Sequence, residues 1–272
     1  MTASSAEAGS AEKCNGVEKL HNAIARGKQT SGVALMSHCV VGYPRLQDNE
    51  GQVRALVEAG ADLMELQFPF SDPLADGPIL TAANQQAVNQ GTRVRDCMEI
   101  ARAVCASHPQ TAFIVMTYFN IAHRMGLSAF ATQLADAGIA GAIIPDLPPE
   151  LSDEWNRAAD AAGIGTVYLV TPNASQERVT QVAKIATGFV YCIGRPGVSG
   201  SSTAFNAEMI RFVNRVRDAA SVPVGVGFGV RTKSDVESVG QMADMAIICT
   251  EMIRRIDADG IESAASYLAS LR

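Results

Sequence analysis

Short runs rich in Val, Ile, Leu and Ala alternate along this chain with stretches of helical periodicity, and that alternation restricts the possible fold more than any motif does. The runs fall at 33–41, 63–68, 112–118, 141–144, 165–170, 189–193, 222–226 and 245–249. Each is almost continuously apolar, which suits a parallel strand buried on both faces. Helical segments are expected at 49–59, 94–108, 128–137, 151–162, 175–186, 204–219, 234–242 and 261–271. Ser128, Ser175 and Ser234 stand where N-caps are needed, and Gly60, Gly138 and Gly163 where helices must stop. Eight units without a linker predict an α/β fold, a closed (β/α)8 barrel. An open doubly wound sheet is the alternative, because sequence does not reveal closure.

The chain has 272 residues, enough for one such barrel, assigned to 17–272. Residues 1–16 are small and polar and are read as a disordered tail. They lack both the apolar core of a secretory signal and the arginines of a transit peptide, so a cytoplasmic location is expected. Cysteines at 14, 39, 97, 105, 192 and 249 form no CxxC pair, which points to free thiols. The uncharged stretch 103–123 is interrupted by Pro109, Gln110 and Asn120 and is not read as a membrane span. A net charge of −6 leaves no basic footprint for nucleic acid.

A barrel places its chemistry at the C-terminal strand ends and the loops beyond them. The second unit reads LMELQFPFSDPLADGP from Leu63 to Pro78. Strand alternation turns Glu65 and Gln67 into the barrel and Met64 and Leu66 outward. An inward glutamate is a candidate acid or base, the alternative being a structural acid hydrogen-bonded inside the barrel. Asp76, in the following loop, is either a second carboxylate of the site or turn chemistry. Glycines at 194, 197, 200, 225, 227 and 229 serve tight turns or let backbone amides approach an anion, helped by a short helix starting at Thr250. Lysines at 13, 19, 28, 184 and 233 avoid the expected strands, so none is placed for a Schiff base. The histidines at 21, 38, 108 and 123 show no metal-ligand spacing, and Asp72 with Asp76 gives only an unspecific one. No metal site is therefore expected, and acid–base chemistry by carboxylates remains.

The run Glu65 to Gly77, E-L-Q-F-P-F-S-D-P-L-A-D-G, resembles the signature of the tryptophan synthase alpha subunit family. Further similar stretches are Gly42-Tyr43-Pro44, Tyr118 with Asn120, Pro145-Asp146-Leu147-Pro148, Arg195 to Gly200, and Gly227-Phe228-Gly229, in order over about 17–271. The resemblance implies a phosphate-binding barrel with an extra N-terminal helix. It implies a carbon–carbon lyase that cleaves indole-3-glycerol phosphate to indole and glyceraldehyde 3-phosphate in tryptophan biosynthesis. Glu65 would then protonate the indole ring and Asp76 would hold the ring N–H, which requires Asp76 to stay ionised in a polar setting. Met116, Tyr118, Ile143, Tyr191 and Ser199 would surround the substrate, with the Tyr191 hydroxyl near Glu65. Gly200, Phe228, Gly229, Cys249 and Thr250 would hold its phosphate.

The same resemblance implies a beta-subunit partner in an alpha2beta2 assembly, with no cofactor in this chain and pyridoxal phosphate only in the partner. The loops 69–77 and 118–124 would meet that partner. Three residues depart from the family pattern: Gln67 in place of glycine, His38 in place of an apolar aromatic residue, and Cys249 in place of glycine. They motivate two alternatives, a weakly active or non-catalytic sugar-phosphate-binding barrel that regulates a beta-subunit partner, and a lyase that acts alone.

Overall fold

The apolar runs become strands because each buries both faces: all seven residues of the first strand and all five of the second and third are buried. A computed structural model of the protein describes residues 15–194 and 206–272. Among these residues the strands are β1 (Ala34–Val40), β2 (Leu63–Gln67), β3 (Ala112–Met116), β4 (Gly141–Ile143), β5 (Gly165–Val170), β6 (Phe189–Cys192), β7 (Val224–Val226) and β8 (Met245–Ile248). Each pairs in parallel with the next, and β8 returns to β1, so the sheet closes into a barrel. Closure decides against the open sheet. The strands stop one or two residues short of several expected C-terminal ends, where the backbone turns into the loops that build the site. Single ladder bonds still continue there, as from Phe68 N–H to Met116 O at 2.9 Å.

Alternation divides the apolar residues into two cores. Met36, Leu63, Ile114, Ile143, Val167, Phe189, Met245 and Ile247 fill the barrel interior. Leu35, Met64, Leu66, Phe113 and Val115 face the surrounding helices. The helix Gly16–Ser31, opened by an Asn15 side chain that accepts from Val17 N–H, closes the N-terminal end of the barrel. Its fully buried Leu20 lies beside Gly141, Gly165 and Gly188, and a Cβ added at Gly188 would come within 3.0 Å of it. Gly16 itself approaches so closely that an added Cβ would come within 2.6 Å of Gly163 O. Leu20→Ala leaves a cavity under the barrel floor and is expected to cost about 3 kcal/mol in a urea-unfolding titration.

Neither periodicity nor the resemblance disclosed two helices, Pro78–Asn89 and Phe119–Met125. The first buries Ala83, Asn84 and Ala87 and packs only Ile79 and Leu80 as large apolar side chains, both half-buried near its start, so its hydrophobic signal is faint. The helix Thr250–Asp259 does begin at the residue expected. Cys39, Cys97, Cys105, Cys192 and Cys249 are free thiols. No described helix is long and apolar enough to cross a membrane.

Candidate active site

Closure of the barrel brings β8, β1 and β2 side by side. His38 on β1 pairs with Glu65 on β2, and Ser37 pairs with Ile248 on β8, so Cys249 follows at the level of His38. All three residues line the same cavity. His38 and Glu65 are buried, with His38 Nδ1 3.0 Å from Glu65 Oε1. The remaining atoms of the pair, His38 Nε2 and Glu65 Oε2, are buried with no hydrogen-bond partner among the described residues. Burial opposes protonation of His38, but Cys249 and Glu65 beside it outweigh that and raise its pKa well above the usual histidine value.

One inward position further along β2, Gln67 Nε2 donates to Asp76 Oδ2 at 2.6 Å. Asn84 Nδ2, from the unanticipated helix, approaches the same oxygen at 3.3 Å. The loop carrying Asp76 is braced from behind: Ala75 N–H donates to the Tyr118 hydroxyl at 3.2 Å, and Phe70 stacks on the Tyr118 ring with centroids 5.2 Å apart. The expected polar setting for Asp76 is only partly present. Burial raises its carboxyl above the ordinary range, while the Gln67 hydrogen bond and the charge of His38 pull it back. The cause is the cover of helix and loop over it, which the sequence did not disclose.

The cavity has a volume of about 300 Å³. Met116, Ile143, Leu169, Tyr191 and Ile193 form its apolar wall. Its other end is bounded by Gly227, Phe228, Gly229 and Thr250. Gly229 has φ +73°, a conformation suited to glycine, and the helix at Thr250 begins at this end of the cavity, so amides of its first turn lack intrahelical acceptors. Thus Glu65, Asp76, Met116, Ile143, Tyr191, Phe228, Gly229, Cys249 and Thr250 line one cavity. Tyr118, expected against the substrate, does not line the cavity and instead contacts the loop that carries Asp76. The Tyr191 hydroxyl lies 3.7 Å from Cys249 Sγ, and burial, Cys249 and Glu65 together raise its pKa. The Cys249 side chain points to His38 and Glu65. Ser199 and Gly200 lie outside the described residues.

Sequence spacing missed Asn84 and did not show that His38 joins Glu65 and Cys249. Gln67, singled out as added bulk, turns its amide onto Asp76.

Residues 24–271 match the profile of the tryptophan synthase alpha chain family. The chain belongs to the tryptophan synthase alpha chain family. Among curated members, the tryptophan synthase alpha chain of Desulforapulum autotrophicum is 40% identical over 248 residues, covering 91% of this chain and 98% of that protein. That of Syntrophotalea carbinolica is 40% identical over 240 residues, covering 88% and 94%. The Mycobacterium tuberculosis tryptophan synthase structure superposes with a TM-score of 0.84 at 32% identity, covering 93% of this chain and 96% of that one. As a tryptophan synthase alpha chain family member, the protein carries Glu65 inside the barrel and Asp76 over its mouth, with Gln67 hydrogen-bonded, among the described residues, to Asp76 alone.

Proposed function

We propose that this tryptophan synthase alpha chain family member cleaves indole-3-glycerol phosphate to indole and glyceraldehyde 3-phosphate. The observation that carries this reading is the Glu65 oxygen without a partner among the described residues, inside a cavity that also presents Asp76, an apolar wall and a glycine-rich end. The cavity volume of about 300 Å³ is small but within the range of ligand pockets, about 300–1,000 Å³.

Two proton transfers balance the reaction. Glu65 in its acid form donates a proton to C3 of the indole ring, leaving the positive charge on the ring nitrogen. Asp76 accepts the ring N–H as a hydrogen bond and stabilises that charge. The bond from C3 to the glycerol chain then breaks, and its electron pair returns to the ring. Glu65, now a carboxylate, removes the proton of the side-chain hydroxyl as the aldehyde forms, which restores its starting state. His38, hydrogen-bonded to Glu65, keeps that carboxyl oriented. Backbone amides around Gly229 and Thr250 hold the phosphate, and the family resemblance assigns Gly200 and Ser199, outside the described residues, to phosphate and substrate contacts as well.

The reading includes a beta-subunit partner in an alpha2beta2 assembly in the cytoplasm. This chain needs no cofactor of its own, and pyridoxal phosphate belongs to the partner. Leu74, 89% exposed on the Asp76 loop, supports a partner face there. Leu74→Asp is expected to weaken binding of a tryptophan synthase beta subunit about tenfold in a calorimetric titration, with unassisted indole release unchanged. The proposal as a whole is tested by assaying indole release from indole-3-glycerol phosphate, alone and with a beta subunit. Release in either arm supports it, and none in both leaves only the regulatory barrel.

A further inference from the structure

Three inward side chains of different donor chemistry meet at one level of the barrel: an imidazole from β1, a carboxylate from β2 and a thiol just past β8. One donor atom from each of His38, Glu65 and Cys249 lies within 4.8 Å of the other two. Adjacent strands are about 4.8 Å apart, so three neighbouring positions at one height necessarily crowd their side chains together. An apolar trio would simply pack. Here His38 Nε2 and Glu65 Oε2 are buried without hydrogen-bond partners among the described residues, an arrangement that costs stability unless something fills it.

We propose that His38, Glu65 and Cys249 form a three-donor site for a borderline-soft divalent transition-metal ion of the Zn²⁺ class, and that filling it withdraws Glu65 from proton transfer. The inhibitory half of this inference rests on the activity proposed above; the binding half does not.

The donor set fits such an ion in type, charge and spacing. Nitrogen, oxygen and sulfur are the ligands Zn²⁺ accepts, whereas Mg²⁺ and Ca²⁺ take oxygen. A thiolate, a carboxylate and a neutral imidazole sum with the ion to zero net charge, which suits a buried position. Tetrahedral coordination with ordinary Zn–N, Zn–O and Zn–S bonds separates the donors by about 3.3–3.6 Å, so side-chain shifts of about 1 Å complete the site. Its fourth position opens on the cavity, where water or a ligand oxygen can enter. Formation releases the thiol proton and the proton held by the His38–Glu65 pair to solvent, and changes no oxidation state.

Coordination would occupy the carboxylate that must otherwise exchange a proton with the substrate, and the ion would stand where the indole ring is expected. Metal and substrate therefore compete. The residues responsible, His38 and Cys249, are two of the three that depart from the family pattern, so the sensitivity would be peculiar to chains carrying both.

Cobalt(II) is the probe, because its absorption reports a sulfur ligand and tetrahedral geometry directly. Titrating the full-length protein with Co²⁺ is expected to give one-to-one binding with a thiolate-to-cobalt band that Zn²⁺ displaces. Cys249→Ser should abolish that band, and His38→Gln should weaken binding at least about 100-fold, more than the effect typical of outer-shell changes. Circular dichroism and unfolding midpoints identify any variant that does not fold, and the other variant then decides. A missing band, or one that survives Cys249→Ser in folded protein, overturns the site. In the activity arm, saturating Zn²⁺ is expected to lower indole release at least about tenfold, with recovery on adding a chelator. Zinc binding without loss of indole release overturns the inhibitory half. Protein that releases indole but binds no cobalt refutes the site and leaves the activity standing. Protein that binds cobalt one-to-one through Cys249 yet never releases indole refutes the activity and leaves the site.

Discussion

Glu65→Gln is expected to lower the rate of indole release at saturating indole-3-glycerol phosphate by about 10³-fold, the middle of the range for a lost general acid–base group. The amide keeps the size of the side chain and can still bond to His38 Nδ1, so the barrel wall should remain in place. It can neither donate a proton to the ring carbon nor take one from the side-chain hydroxyl. Both transfers are lost together, so no partial reaction should survive. Affinity for the substrate should stay within about threefold, since the contacts that position the phosphate and ring lie elsewhere in the cavity. A rate within tenfold of the unmodified protein in a stopped indole assay would remove Glu65 from the chemistry.

For Asp76→Asn the expected loss is about 10²-fold in kcat, because the substitution keeps the shape but removes the charge that stabilises the protonated ring nitrogen. Stability should move the other way. Burial raises the Asp76 pKa in the folded protein, so the native state holds this proton more tightly than the unfolded chain does. The ionised carboxylate therefore costs stability above its folded pKa, and the cost fades as pH falls through that pKa. Asparagine removes the charge while its carbonyl oxygen can still accept from Gln67 and Asn84. The variant should accordingly show an unfolding midpoint at neutral pH equal to or above that of the unmodified protein. The acid limb of the activity profile should lie above the ordinary carboxylate range in the unmodified protein and lose this component in the variant. A fall in the unfolding midpoint together with activity would instead make Asp76 a structural residue.

The barrel could be read from sequence because its strands are buried on both faces, which leaves eight apolar runs that no half-exposed sheet would show. Glu65 was legible for a related reason: a period of two leaves little choice about the direction of a charged residue between Met64 and Leu66. Other parts were silent. The helix Pro78–Asn89 buries alanines and Asn84, so its periodicity is faint, and with it went the second donor to Asp76. Gln67 showed as added volume, but its bond to Asp76 depends on how the following loop folds back. Tyr118 was expected against the substrate, but it does not line the cavity, and the path of its hydroxyl to the Ala75 amide is a tertiary fact. Cys249 and His38 meet only because the last strand returns to the first. Nothing local in either segment records that closure.

The most direct test is a crystal structure of Glu65→Gln soaked with indole-3-glycerol phosphate, which the inactive protein should hold uncleaved. Ring carbon C3 should lie about 3.5 Å from the side chain at position 65, the ring N–H should meet Asp76, and the phosphate should rest on the amides of Gly229 and Thr250. A ring held out of the barrel by Gln67, or a phosphate bound elsewhere, would contradict the proposed cleavage site.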